Sequence, residues 1–171
     1  MKDLFLHVSQ KIEAIAGAPV RMVDFDLGQL EQEPMPSLSF PAVLISFNAP
    51  AYMQLGAGAQ QAEVQITLRV AFRTFERTHS KAQSSFRDEG LAHLDTLAAI
   101  HTALNGSSAD NIGALSRISM ATEARADLRV YKMTYLSEYV DCPTSPFVPW
   151  EDIEGLDTVD LEVEVELETG A

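Results

Sequence analysis

The chain has 171 residues, 46% of them hydrophobic, enough for one domain with a substantial core and an appendage. Its net charge of −13, from 12 basic and 25 acidic residues, argues against a protein that grips duplex DNA, because phosphate binding needs clustered Lys and Arg. A single cysteine, Cys142, excludes an internal disulfide and makes a reducing, cytoplasmic setting the default; no apolar stretch suits a signal peptide or a bilayer span.

The charge is unevenly placed. Residues 141–171 carry ten acidic and no basic side chains, which leaves 15 acidic against 12 basic residues in the first 140, a net of −3. Two units are therefore expected: an α+β domain over residues 1–141, and a Pro-containing crossing with an acidic C-terminal strand over 142–171.

In chain order, residues 2–16 predict a helix, with Leu4, Phe5, Val8, Ile12 and Ile15 along one side and Gly17 and Pro19 to stop it. A short strand follows at 20–25. Residues 26–40, with Gly28, Pro34 and Pro36, show no sustained period and predict a long loop, either a surface connection or an interaction arm. The apolar run 41–48 suits a strand covered on both faces. Residues 49–61, with Gly56 and Gly58, predict a flexible hairpin connection. Tyr52 and Met53 there either project as contact points or tuck back onto the sheet, the second being the expected outcome.

The strand at 63–75 alternates cleanly. Val64, Ile66, Leu68, Val70 and Phe72 share one face; Arg69 and Arg73 lie on the polar face, which meets solvent or a polar partner. After a polar linker at 76–87 comes the stretch that organises the chain. Asp88 is the expected N-cap of a helix whose Leu91, Leu94, Leu97, Ala98, Ile100 and Leu104 form one wide apolar face, ended by Asn105-Gly106. Two strands then form a hairpin, at 115–122 and 128–140, turning at 123–127. The second is apolar on both faces, with Val130, Leu136 and Val140 opposite Tyr131, Met133, Tyr135 and Tyr139. One face suits the helix; the other needs a further layer or a neighbouring subunit. Finally, residues 161–168 alternate Leu161, Val163, Val165 and Leu167 with Glu162, Glu164, Glu166 and Glu168, a strand with one apolar and one acidic face.

Catalytic chemistry has no foothold in this pattern. G-x-S-x-G, P-loop, C-x-x-C, H-E-x-x-H and G-x-G-x-x-G are all missing. His93 and His101 stand eight apart on one helix, too far for a shared metal, and His101 is expected as a hydrogen-bonded core residue. Catalytic, cofactor-binding and metal residues are therefore all expected to be none.

The order of elements, carried by residues 40–47 (F-P-A-V-L-I-S-F), 64–72, 97–106 (ending A-L-N-G) and 128–141, resembles the lambda-type tail terminators and related tail-completion proteins of long-tailed bacteriophages and prophages. The resemblance covers roughly residues 1–141 and leaves the acidic end unassigned. It implies an α+β fold, mostly antiparallel sheet with two helices on one face. It also implies a homo-hexameric ring that caps the tail tube, stops its polymerisation and joins the tail to the head connector protein. Its place would be the virion tail, reached from the bacterial host cytoplasm during assembly, with DNA passing without tight binding and with no membrane partner. Candidate subunit or partner contacts are Tyr52, Met53, Arg69, Arg73, Tyr131 and Tyr135. The alternatives are another head-tail connector or minor tail component of the same fold, or a cytoplasmic ligand- or peptide-binding module.

Overall fold

The computed structural model describes residues 1–17, 19–56, 58–73, 81 and 83–142. The acidic strand expected at 161–168 lies outside them. Two helices and six strands follow in the order α1 (Lys2–Glu13), β1 (Met22–Phe25), β2 (Ala42–Asn48), β3 (Tyr52–Gly56), β4 (Ala59–Phe72), α2 (Ser84–Leu104), β5 (Ser116–Glu123) and β6 (Arg129–Asp141). The fold is α+β. One sheet runs β1-β2-β4-β6-β5, with β3 paired to the start of β4; β1 and β2 are parallel and the other pairs antiparallel.

Strand β4 is the spine. It pairs with β6 over its length, from Gln60 opposite Asp141 to Phe72 opposite Arg129. Its alternation works as the residue pattern predicts: Val64, Ile66, Leu68 and Val70 are fully buried beneath the helices. From α1, Leu4, Val8 and Ile12 enter the same core at i, i+4 spacing. From α2 come Leu97, Ile100 and Leu104. This helix ends where expected: Gly106 takes φ 78°, a conformation open to glycine at little cost, and its N–H bonds the Leu115 carbonyl.

The start and the facing of α2 differ from expectation. It begins at Ser84 with Gln83 as N-cap, four residues before Asp88. Its buried stripe is Gly90, His93, Leu97, Ile100 and Leu104, while Leu91 and Leu94 are 38% and 42% exposed and Ala98 is exposed. A histidine can replace a leucine on this stripe because its ring is fully hydrogen-bonded there.

The opposite face of the sheet is also partly covered, and by the chain itself. The segment 26–40 contains a 3-10 turn, Gln29–Glu31, and folds back. Leu30 is buried with Leu44, Ala71, Leu128 and Val130, and Met35, Leu38 and Phe40 pack against that cluster. The further layer that β6 needs over Val130 is therefore this loop, and not an arm reaching outward; Leu136 and Val140 stay only half-buried.

Candidate interaction surfaces

The six candidate contact residues fall into two groups. Tyr52 and Met53 lie on β3, whose five residues are all exposed. The expectation that they tuck back onto the sheet is wrong: they are 43% and 61% exposed, and Leu55 is 51% exposed. The cause is geometric. β2 ends at Asn48, paired with Gln65, so β3 lies past the end of the β2 pairing with only β4 to pair on, while β4 there keeps its pairing with β6. Tyr52 stands opposite Ala62 and Met53 opposite Gln61, so the two side chains project from opposite faces and the hairpin is apolar on both. At its base, Ala51, Tyr52, Met53, Gln61, Ala62, Glu63 and Glu138 line a recess of about 320 Å³. Arg73, just past β4, is also exposed.

Arg69, Tyr131 and Tyr135 are instead engaged within the chain. Tyr135 is fully buried, which removes it from any contact with a neighbour, and burial pushes its phenol up to about 12. His101 Nδ1 lies 3.3 Å from its hydroxyl, so His101 is a half-buried, hydrogen-bonded histidine much as its sequence position implies. Tyr131 stacks on His93 with ring centroids 5.4 Å apart. Its hydroxyl is 2.8 Å from His93 Nε2, and His93 Nδ1 is 2.7 Å from the Gly90 carbonyl. A carbonyl can only accept, so Nδ1 carries the ring proton and Nε2 accepts from Tyr131. Burial, then the nearby charge of Arg129, holds His93 below its ordinary pKa and keeps the ring neutral.

Arg69 sits at the centre of a charged cluster on the face away from the helices. Its Nε and Nη2 donate to both oxygens of Glu123 at 3.0 and 2.6 Å. Nη1 donates to Asp26 Oδ2 at 3.3 Å and to Glu31 Oε2 at 3.2 Å, and Nη2 donates to Glu31 Oε1. Beside it, Arg125 grips Asp127 at 3.0 and 2.9 Å and donates to the Leu30 carbonyl at 2.7 Å. The Arg69 hydrogen bond holds the Glu31 carboxyl below its ordinary range, and Arg125 does the same for Asp127. The cleft beside this cluster measures about 450 Å³ and includes Ser46, Thr67 and Lys132. Its chemistry is that of a clasp: one guanidinium joins the 26–40 segment to β4 and β5, with its donors already committed. The sequence signal missed here was the pairing of Asp26, Glu31 and Glu123 with Arg69, residues too far apart in the chain for any local period to link.

Strand β5 forms the sheet's other edge, exposed along all but its last residue. Ile118 is 51% and Met120 43% exposed, and the strand bulges between Arg117 and Ser119. Cys142 is exposed at the end of the described chain. Among the described residues, no helix is long and apolar enough to cross a membrane, and no group of three His, Cys, Asp or Glu side chains is placed to hold a metal ion.

No protein-family profile matches the chain, and no curated protein matches it. Among solved structures, it is similar to a chain from the virion of a native gene transfer agent particle, with 14% sequence identity and a TM-score of 0.47 over 81% of this chain and 95% of that one.

Proposed function

We propose that this chain is a structural subunit of a phage-type virion, and that its task is to cap the tail tube, end tube polymerisation and present a surface to the head connector. The observation that carries the reading is the β3–β4 hairpin. It places Tyr52, Met53 and Leu55 in solvent on β3, a strand that pairs only with β4 and leaves its outer side open. An apolar projection of this kind is costly to leave bare and suits insertion against a neighbour. A second, dissimilar apolar site lies at the β1 edge, where Leu27 is 75% and Phe25 40% exposed. Head-to-tail association into a closed ring needs two such different patches on each subunit, and the organisational resemblance described above sets the expected number at six.

The roles of Tyr52, Met53 and Arg73 as contacts follow from this reading; Arg69, Tyr131 and Tyr135 serve the subunit's own fold. No catalytic role, cofactor or metal is assigned. A ligand-binding module would most naturally use the cleft beside Arg69, yet three carboxylates already occupy that guanidinium.

The test has two parts, mass in solution by light scattering and the length of tube polymers grown with added protein. Rings can close only on the tube end if that is where effective concentration is high, so a monomer in solution remains compatible with capping. A protein that neither forms rings at high concentration nor shortens tubes of its cognate tube subunit is not a terminator, and another connector or minor tail role would then replace this one.

A further inference from the structure

The exposed strand β3 has a matching edge on a second copy of the chain. We propose that β3 of one subunit pairs antiparallel with β5 of the next, Tyr52 beside Met120, so that the sheets of successive subunits run on as one. The inference rests on the head-to-tail reading above and names the backbone edges that such an assembly joins.

Of the three strands with an open side, β1 is closed to pairing. The Asp26 N–H bonds the Ile45 carbonyl of β2, so the N–H groups of Phe25 and Leu27 on either side of it point outward. Both are taken: Phe25 N–H donates to Asp24 Oδ1 at 2.8 Å and Leu27 N–H to Gln29 Oε1 at 2.8 Å, while Gln29 Nε2 donates to the Phe25 carbonyl at 2.7 Å. Side chains occupy this edge and leave Phe25 and Leu27 to side-chain contacts alone. The outer sides of β3 and β5, in contrast, have no strand partner among the described residues. The two strands lie at opposite sides of the sheet, because β4 pairs with β6 along its length and so holds β3 on its β2 side. Opposite edges are what head-to-tail repetition joins. The directions agree as well. β3 and β6 both run antiparallel to β4, and β5 runs antiparallel to β6, so a neighbour with its helices on the same face brings an antiparallel β3 to β5.

Side chains select the register. Tyr52 stands opposite the buried Ala62 and Met120 opposite the buried Met133, so both project on the helix side, and each is 43% exposed. Leu94 is exposed on the flank of α2 above Met120, two turns before His101, which meets Tyr135 and feels the charge of Arg117 on β5. A neighbour's Tyr52 covers Met120 and Leu94 together. On the other face, Glu63 and Glu138 stand directly opposite each other, like charges that cost stability, and neither enters an ion pair among the described residues. Lys132 is also unpaired there. It stands between Arg69 and Ala121; Arg69 holds Asp26, Glu31 and Glu123 and repels the lysine toward the edge. In this register the neighbour's Ala51 falls opposite Ala121, and only these two small side chains separate Lys132 from the neighbour's Glu63.

The rows of Tyr52 and Met120 cross β6 at Tyr139 and Met133, six residues apart. Each subunit is therefore displaced by about 20 Å along the strands for the roughly 19 Å width of β3, β4, β6 and β5. The resulting strand tilt of about 45° is that of closed barrels, so the pairing is compatible with a ring.

Full-length protein carrying Cys142→Ser, Tyr52→Cys and Met120→Cys should be oxidised both alone at high concentration and on tubes of the cognate tube subunit. A disulfide ladder of two and more chains is expected. Within one chain the two positions lie on opposite edges, outside the roughly 7 Å that a disulfide can bridge. The same protein with Phe25→Cys in place of Tyr52→Cys should stay monomeric. Under the same conditions, hydrogen exchange of the wild type should slow at least tenfold in β3 and β5 and not in β1. A ladder from Phe25→Cys with none from Tyr52→Cys would give β5 to the β1 edge and overturn the proposal. Monomer in both settings with unslowed exchange in β3 would overturn it too. Tubes shortened without coupling of 52 to 120 would leave capping intact and remove this pairing, whereas coupling without shortened tubes would keep the pairing and remove capping.

Discussion

Arg69 replaces what would otherwise be a like-charged strip between β4 and the loop with a single shared cation. Its side chain is 12% exposed and that of Asp26 13%, whereas Glu31 and Glu123 are 51% and 35% exposed and partly screened by water. Arg69→Met should therefore lower stability by about 1–3 kcal/mol at neutral pH, less than breaking a fully buried pair, because two of the three orphaned carboxylates can hydrate. The pH dependence has a definite sign. Glu31 and Asp127 titrate below their ordinary values of 4.5 and 3.8, so the stability they contribute is present above those values and is lost as pH falls through the shifted ones. Urea midpoints of the wild type should drop more steeply than those of Arg69→Met as pH falls below 4.5; parallel curves would show that the cluster does not clasp the loop. His93 contributes in a higher window. Its folded pKa is depressed, so the unfolded chain takes up the proton first and stability declines as pH falls through the ordinary 6.5. His7 and His101 are shifted the same way. His93→Phe should accordingly reduce, without abolishing, the decline in midpoint between about pH 7 and pH 5.

At the scale of elements, α2 shows what periodicity conveys and where it stops. A window containing Leu91, Leu94, Leu97, Ile100 and Leu104 fixes the presence and end of a helix, but Leu at two adjacent positions around the helix leaves the facing ambiguous by one residue. The observed facing is decided by His93, whose two ring nitrogens find Gly90 and Tyr131; the sequence pattern marks Leu91 and Leu94 for the stripe and His101 as its core histidine, not His93. The difference is measurable. Leu97→Ala should cost about 2–5 kcal/mol, since it empties a site 2% exposed, while Leu94→Ala should cost less than about 1 kcal/mol. Equal losses would mean that the helix sits rotated from the orientation described. Strand β4 was legible from Glu63 to Phe72 because its alternation there is unbroken; its first residues, from Ala59, were expected in the connection before it, because Gln60 and Gln61 break the alternation. β3 was not, because Tyr52–Gly56 is a short exposed segment whose residue types suit a loop equally well.

At the scale of the molecule, two glycine- and proline-containing segments that look alike in sequence have opposite fates. The 26–40 segment contains Leu30, Met35, Leu38 and Phe40, and these close the second face of the sheet under the Arg69 clasp. The 49–61 segment becomes β3 and the start of β4, with β3 exposed along its whole length. What separates them is the three-dimensional position of the sheet's uncovered face, which a linear pattern does not carry. The same limit applies to the contact candidates: burial at Tyr135 and the carboxylates around Arg69 are set by strands far away in sequence, so composition marks these residues as sticky or charged without showing that their partners are internal.

The hairpin supplies the sharpest whole-molecule prediction. Tyr52 and Met53 are exposed and bury little surface within the subunit, so Tyr52→Ser with Met53→Ser should move the urea midpoint by no more than about 0.5 kcal/mol in stability. If the hairpin inserts against a neighbouring subunit or the tube end, the same double variant removes two large apolar anchors from an interface, where residues of this kind carry a disproportionate share of the binding energy. The protein concentration needed to stop tube growth should then rise by tenfold or more. Leu97→Ala provides the contrast, because it weakens the fold while leaving the hairpin surface intact, and at a temperature where it remains folded it should cap tubes as the wild type does. A double hairpin variant that stays folded and caps at the wild-type concentration would remove β3 from the interface and leave the β1 edge, with Phe25 and Leu27, as the surface to test next.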